Sequence, residues 1–202
     1  MSEGTHTCIT HVMALTPPSS PGLFPSQYLS LDDQQFLFEA VGILVLTAPV
    51  DTERKAAILS ALTDPMFRRF VALSTDDLPR APDQPTQRRC ADLLHHVMAI
   101  MVSLGKAVTG PEHLEASGCG PLFARALELF MPALQLPVQR AVIRAGIRVY
   151  LHRMVVSMGE AVLAVMPSVV GALLGPGAGQ VCVYIDIYIS VCVCVGGRIP
   201  SI

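Results

Sequence analysis

The residues best placed for binding chemistry are four arginines in one apolar stretch. Arg140, Arg144 and Arg148 stand four apart, with Arg153 beyond, inside Pro137 to Met158. Residues four apart share one side of a helix, so the spacing predicts a row of positive charge along one flank. Other chemistry-bearing residues are scattered. His6, Cys8 and His11 offer three metal-type ligands without a fourth, and read as polar residues of an irregular leader. His95-His96 lies inside an apolar helical pattern and predicts one half-exposed and one packed histidine. Cys192-Val193-Cys194 is not a C-x-x-C pair. Gly175-Pro-Gly-Ala-Gly lacks the Lys-Ser/Thr of a phosphate-binding loop and follows a helix pattern, not a strand. G-x-S-x-G and H-E-x-x-H are absent, and no acid and base pair at fixed spacing. The chain therefore reads as a non-enzyme, with no catalytic residue, no cofactor site and no metal site.

The arginine row needs a helix to hold it. Val142, Ile143, Ile147, Tyr150, Leu151, Met154, Val155 and Met158 recur with the period of a helix buried on one side. Pro137 suits the first turn, where a missing N–H costs nothing. A partner helix is expected from Glu160 to Leu174, interrupted by Pro167.

The rest of the chain divides the same way. Residues 1–27 carry Pro17, Pro18, Pro21 and Pro25 and no periodicity, which predicts a disordered leader. Ser30-Leu31-Asp32-Asp33 reads as a capping box opening a helix to Thr47. Phe36, Leu37, Ala40, Val41, Leu44 and Val45 form its expected face. A second helix starts at Asp51, with a stripe of Ala57, Ile58, Leu62, Met66, Phe67, Phe70 and Val71, and with Pro65 implying a kink or short break. Ser74 to Asp77 with Pro79, Pro82 and Pro85 predicts an exposed linker. A third helix is expected over 86–108, striped by Cys90, Leu93, Leu94, Val97, Met98, Met101 and Leu104. Gly118-Cys119-Gly120 turns the chain into a fourth, from Pro121 to about Leu136. Three consecutive pairs result: 30–47 with 51–73, 86–108 with 121–136, and 137–158 with 160–174. They begin roughly 50 residues apart, and such pairs describe an all-α, HEAT-type helical-repeat solenoid fragment, with a plain helical bundle as the alternative.

Composition sets further bounds. The 202 residues carry a net charge of −2 and no Trp, so the chain as a whole makes no case for nucleic acid. Charge is uneven: nine acids and five bases between Tyr28 and Asp83 give −4, while four Arg and one Glu between Pro137 and Leu174 give +3. The six cysteines have no disulfide-framework spacing, which suggests a reducing compartment. No basic region followed by an apolar core opens the chain, so no secretory signal is read. The uncharged window between Glu160 and Asp186 is broken by Pro167, Gly171 and the Gly-Pro-Gly run, so no membrane insertion is expected. From residue 175 the tail is of another kind: VCVYIDIYISVCVCV alternates like a strand, but resembles translated dinucleotide repeats and is an aggregation hazard.

Four stretches carry a family resemblance: YLSLDDQQFLFEAVGILV (28–45), ERKAAIL (53–59), LFMPALQLPVQRAVIRAGIRVYLHRM (129–154) and AVLAVMPS (161–168). In order and spacing the segment 28–174 resembles exportin-T, the tRNA-exportin family of the importin-β (karyopherin) superfamily. The leader 1–27 and the tail 175–202 do not. The resemblance implies a HEAT superhelix that binds tRNA together with Ran-GTP, passes nuclear pore proteins and shuttles between nucleus and cytoplasm. It implies no DNA partner. It also makes Arg140, Arg144, Arg148 and Arg153 candidate contacts to tRNA phosphates, because such receptors read RNA by shape and backbone charge. An ordinary solvated flank, or pairing with Glu128 or Glu160, is the alternative for the same row. A generic protein-interaction fragment from an aberrant transcript is the alternative for the whole chain.

Overall fold

The computed structural model describes residues 29–159 and Val162. The expected leader, nearly all of the helix expected over 160–174, and the tail lie outside the described residues. So do His6, Cys8, His11, Cys192 and Cys194.

The chain enters the fold through the predicted capping box. Ser30 Oγ accepts from Asp33 N at 3.1 Å, and Ser30 N donates to Asp33 Oδ2 at 3.1 Å. This satisfies two N–H groups that the first turn would leave orphaned. Helix α1 (Leu31–Thr47) follows. Asp51 caps α2 (Thr52–Ala72) by accepting from Arg54 N at 2.7 Å, and Asp83 caps α3 (Gln84–Lys106) by accepting from Thr86 N at 2.7 Å. Then come α4 (Pro111–Ser117), α5 (Gly120–Phe130) and α6 (Arg140–Met158). Among the described residues there is no strand.

The helices form two layers. In the first, α3 lies between α1 and α6. Register along its two seams shows that all three run parallel. His96 meets Gln34, while further along Leu104 and Ala107 close on Gly42. On the other side Met98 and His95 close on Gly146, and Gly105 meets Arg153. In the second layer α2 and α5 are also parallel, with Asp64 bonded to Arg125 at 2.7 Å and the Phe70 ring tilted against Phe130 at 4.7 Å. The layers join where Phe130 meets Tyr150 of α6 edge-on at 5.0 Å. Tyr150 is fully buried and donates its hydroxyl to Phe123 O at 2.8 Å. This is an all-α, HEAT-type helical-repeat segment.

Several expectations change. The face of α1 is not the one the pattern suggested. Gln34, Phe38, Gly42, Val45 and Leu46 point inward, while Phe36 is 75% exposed and Leu44 68% exposed. From Phe36 onward the helix is apolar on most sides, so periodicity could not choose. Gly42 decides it, because only a residue without Cβ lets Leu104 Cδ1 come within 2.9 Å of where a Cβ would stand. In α2, Leu59 and Thr63 join Met66, Phe67 and Phe70 inside, whereas Ala57 and Val71 are exposed. Pro65 does not break that helix. It lies on the exposed side, where the Ala61 carbonyl that loses its donor can meet water.

The stretch 73–80 is not a linker. Leu73–Asp77 is a π-helical continuation of α2 and Leu78–Arg80 a final helical turn, held because Leu73 and Leu78 are fully buried and Arg69 pairs with Asp77 at 2.8 Å. Pro85 starts α3. The short α4 went unread between two glycine turns. Pro132 ends α5 at Phe130 and tightens Met131–Gln135 into a 3₁₀ turn. Pro137 precedes α6 instead of occupying its first turn, and Gln139 takes a left-handed φ of 52° at the N-cap. Gly118, at φ 67°, makes the predicted turn.

The adjacent histidines divide as expected. His95 is half-buried and His96 is 3% exposed. Gln34 donates its amide to Leu29 O, so its Oε1 faces His96 and accepts from Nε2–H at 3.0 Å. Burial first, then the neighbouring His95, lowers the His96 pKa below its ordinary value; Asp32 opposes them. Folding therefore favours the neutral ring, and the unfolded chain binds more protons. Stability from this group is complete above the unfolded value of about 6.5 and is lost as pH falls below it. Thermal melts followed by circular dichroism should show the midpoint dropping between neutral and mildly acid pH, and dropping less in His96→Asn. The caps at Asp33 and Asp83, whose pKa values are lowered by their hydrogen bonds to Ser30 and Thr86, stabilise the fold throughout this range and lose their contribution only at still lower pH.

Candidate nucleic-acid interface

The arginine row stands on α6, which packs against α3 in the first layer. Ile143, Ile147, Tyr150, Leu151, Met154 and Val155 of α6 are buried, which fixes the rotation of the helix and so the direction of its polar flank. Arg140 lies at the start of that flank and is exposed; its Nε donates to Leu136 O at 3.2 Å. Arg144, one turn on, is half-buried, and its Nε has no hydrogen-bond partner. Arg148 is exposed. Five ion pairs occur among the described residues, and none uses these three arginines. Glu128 is exposed and makes none of them, while Glu160 lies outside the described residues. The N-terminus of α6 has no side-chain cap, unlike those of α1, α2 and α3, and its first turn carries no acid. Its N-terminal partial positive charge therefore adds to the row.

Arg153 is placed elsewhere. It comes five residues after Arg148, about 140° round the helix, and so falls on the opposite flank. Its Nε and Nη2 donate to Gly105 O at 3.0 and 2.7 Å, and Nη2 also donates to Val108 O. The side chain ties α6 to the carbonyl end of α3, where a cation complements the helix dipole. Burial lowers its pKa from the ordinary arginine value, and Glu39 opposes that shift. The clue missed in the sequence was the change of spacing from four to five. Gln34 was missed as well; a glutamine in an apolar helix marks a buried polar seam only once its partner is known.

The arrangement offers donors at regular spacing on one helix, with the exposed His152 one turn beyond Arg148. Cys90 and Cys119 are buried free thiols whose pKa values burial raises. Among the described residues no group of His, Cys, Asp or Glu is placed to hold a metal ion. No single described helix is long and apolar enough to cross a membrane.

A family profile described as Exportin-T matches residues 25–181. The chain belongs to the exportin-T family. Relatives named Exportin-T from Danio rerio and Mus musculus are each 34% identical over 160 residues, and the one from Homo sapiens is 32% identical over the same length. Each alignment covers 79% of this chain and 16% of the relative, so the chain spans about a sixth of the exportin-T relatives it matches. No solved structure matched. The exportin-T match takes in all six helices and the arginine row.

Proposed function

We propose that this chain is part of a nuclear export receptor for tRNA, a segment of a karyopherin superhelix that binds the tRNA backbone and Ran-GTP and passes the nuclear pore. It shuttles between nucleus and cytoplasm and has no catalytic activity of its own. The observation that carries this reading is the row Arg140, Arg144 and Arg148 on a chain of the exportin-T family: three guanidinium groups with no ion-pair partner among the described residues. Arginine forks bind phosphate oxygens without reading bases, which suits a receptor that must accept tRNAs of many sequences. Within this proposal Arg140, Arg144 and Arg148 touch the backbone, and Arg153 positions the helix that bears them.

The test is tRNA binding by the full chain in low salt. The triple variant Arg140→Glu, Arg144→Glu, Arg148→Glu should bind at least about tenfold more weakly, and its affinity should fall less steeply with salt, by about 2–3 in log–log slope. Arg88→Glu, which removes an arginine already paired with Asp92 at 2.9 Å, serves as the control. Equal affinity for the triple variant and the unaltered chain would remove the row from the interface.

A further inference from the structure

The spacing of four that joins Arg140, Arg144 and Arg148 reaches His152 at its next step. Each step rises about 6 Å and turns about 40° past a full circle. His152 therefore continues the same slow wind around α6, whereas Arg153, the very next residue, falls on the α3 side and is held by the Gly105 and Val108 carbonyls. Of the histidines among the described residues, three are occupied. His95 lies against Gly146, His96 bonds to Gln34, and His113 meets Thr109. His152 is exposed, and no described residue engages its ring by hydrogen bond or ion pair.

The charges around it leave the ring to an outside ligand. Helix α6 contains no acid. On α3, Asp92 is paired with Arg88 and Lys106 with Glu39; on α5, Arg125 is paired with Asp64. Glu112 and Glu115 of α4 and Glu128 of α5 are exposed, and none of them is bonded to His152. Imidazole is the side chain that changes charge between about pH 5 and 8. The neutral ring has one N–H to donate; the charged ring has two and attracts phosphate besides. A phosphate that reaches both Arg148 and His152 favours the charged ring, so the complex holds more protons than its separated parts. By linkage, affinity then rises as protons are added.

Resting on the proposed role of Arg140, Arg144 and Arg148 as backbone contacts, we propose that His152 is the fourth contact of the row and makes tRNA binding tighten as pH falls through the imidazole range. Binding is thereby regulated at the same site that performs it.

The test is titration of the full chain with tRNA at about pH 8 and about pH 6, the two sides of that range. Circular dichroism at both values establishes that the helix content is kept, because buried His96 costs stability in acid. The unaltered chain should bind about three- to tenfold more tightly at the lower pH, with a log–log salt slope steeper by about 1, the mark of one added phosphate contact. His152→Asn, at an exposed position, should bind equally at both values, with the affinity the unaltered chain shows at the higher one. His152→Lys, charged at both, should bind tightly at both. Equal affinity of the unaltered chain at the two values overturns the proposal. So does a pH dependence that persists in His152→Asn, since another group then carries it. The triple variant Arg140→Glu, Arg144→Glu, Arg148→Glu at the higher pH reports on the row by itself. If it binds weakly while His152 has no effect, this proposal alone fails. If it binds as well as the unaltered chain, or if the unaltered chain binds no tRNA, the row fails and His152 with it.

Discussion

Phe130→Ala should cost about 3–5 kcal/mol of stability, the range for removing a buried aromatic ring. Phe130 is fully buried at the last turn of α5, with Phe70 of α2 at 4.7 Å on one side and Tyr150 of α6 at 5.0 Å on the other. It is the joint between the two layers, and neighbours from three helices cannot all move into the space it leaves. Pair geometry adds to the loss, because tilted and edge-on ring contacts each contribute about 0.5–1.5 kcal/mol beyond area. At about 2–4 °C per kcal/mol for a domain of this size, the melting midpoint should fall by roughly 10 °C or more. Chemical denaturation of the full chain, followed by helix signal, measures the free energy directly. A loss below about 1 kcal/mol would mean that the joint repacks.

Arg153→Ala should cost about 2–3 kcal/mol, which is large for a residue that makes no ion pair among the described residues. Three hydrogen bonds from one cation to Gly105 and Val108 carbonyls disappear together. Those carbonyls close the end of α3, where Gly105 O also accepts from Val108 N at 3.0 Å, and bonds to charged groups are worth about 1.5–3 kcal/mol each before the cost of desolvating the cation is set against them. Two further results separate this role from surface charge. The loss should change little with added salt, because the group is half-buried. Lysine should rescue only in part, since an ammonium cannot reproduce the fork that reaches both carbonyls. Denaturation of Arg153→Ala and Arg153→Lys at low and high salt checks all three.

How much of this was legible in the residues depended on whether a local rule was at work. The capping box at Ser30 is a four-residue pattern and was read correctly. The stripe of α3 was legible because its apolar positions keep one period and its other face is polar; Cys90, Leu94, Val97, Met98, Met101 and Leu104 are all buried. Helix α1 has no polar face except its acids, so its rotation was settled by a glycine whose importance appears only when Leu104, far along the chain, arrives beside it. The segment 73–80 has linker composition, yet two leucines, Leu73 and Leu78, outweigh it once the core exists to receive them. In the arginine row, spacing of four placed Arg140, Arg144 and Arg148 together. Spacing of five already set Arg153 apart, though only the position of α3 reveals what it grips.

The grip has a mechanical consequence. Met98 against Gly146 and Arg153 against Gly105 pin the α3–α6 seam at two heights, both on the same side of Arg140 along the axis. From Arg153 to Arg140 is about 20 Å at 1.5 Å per residue. Two pins on one seam fix a direction as well as a position, and Ile143 is buried near the far end. The spacing between Arg140, Arg144 and Arg148 is therefore set by the helix, and the line along which they point is set by its hold on α3.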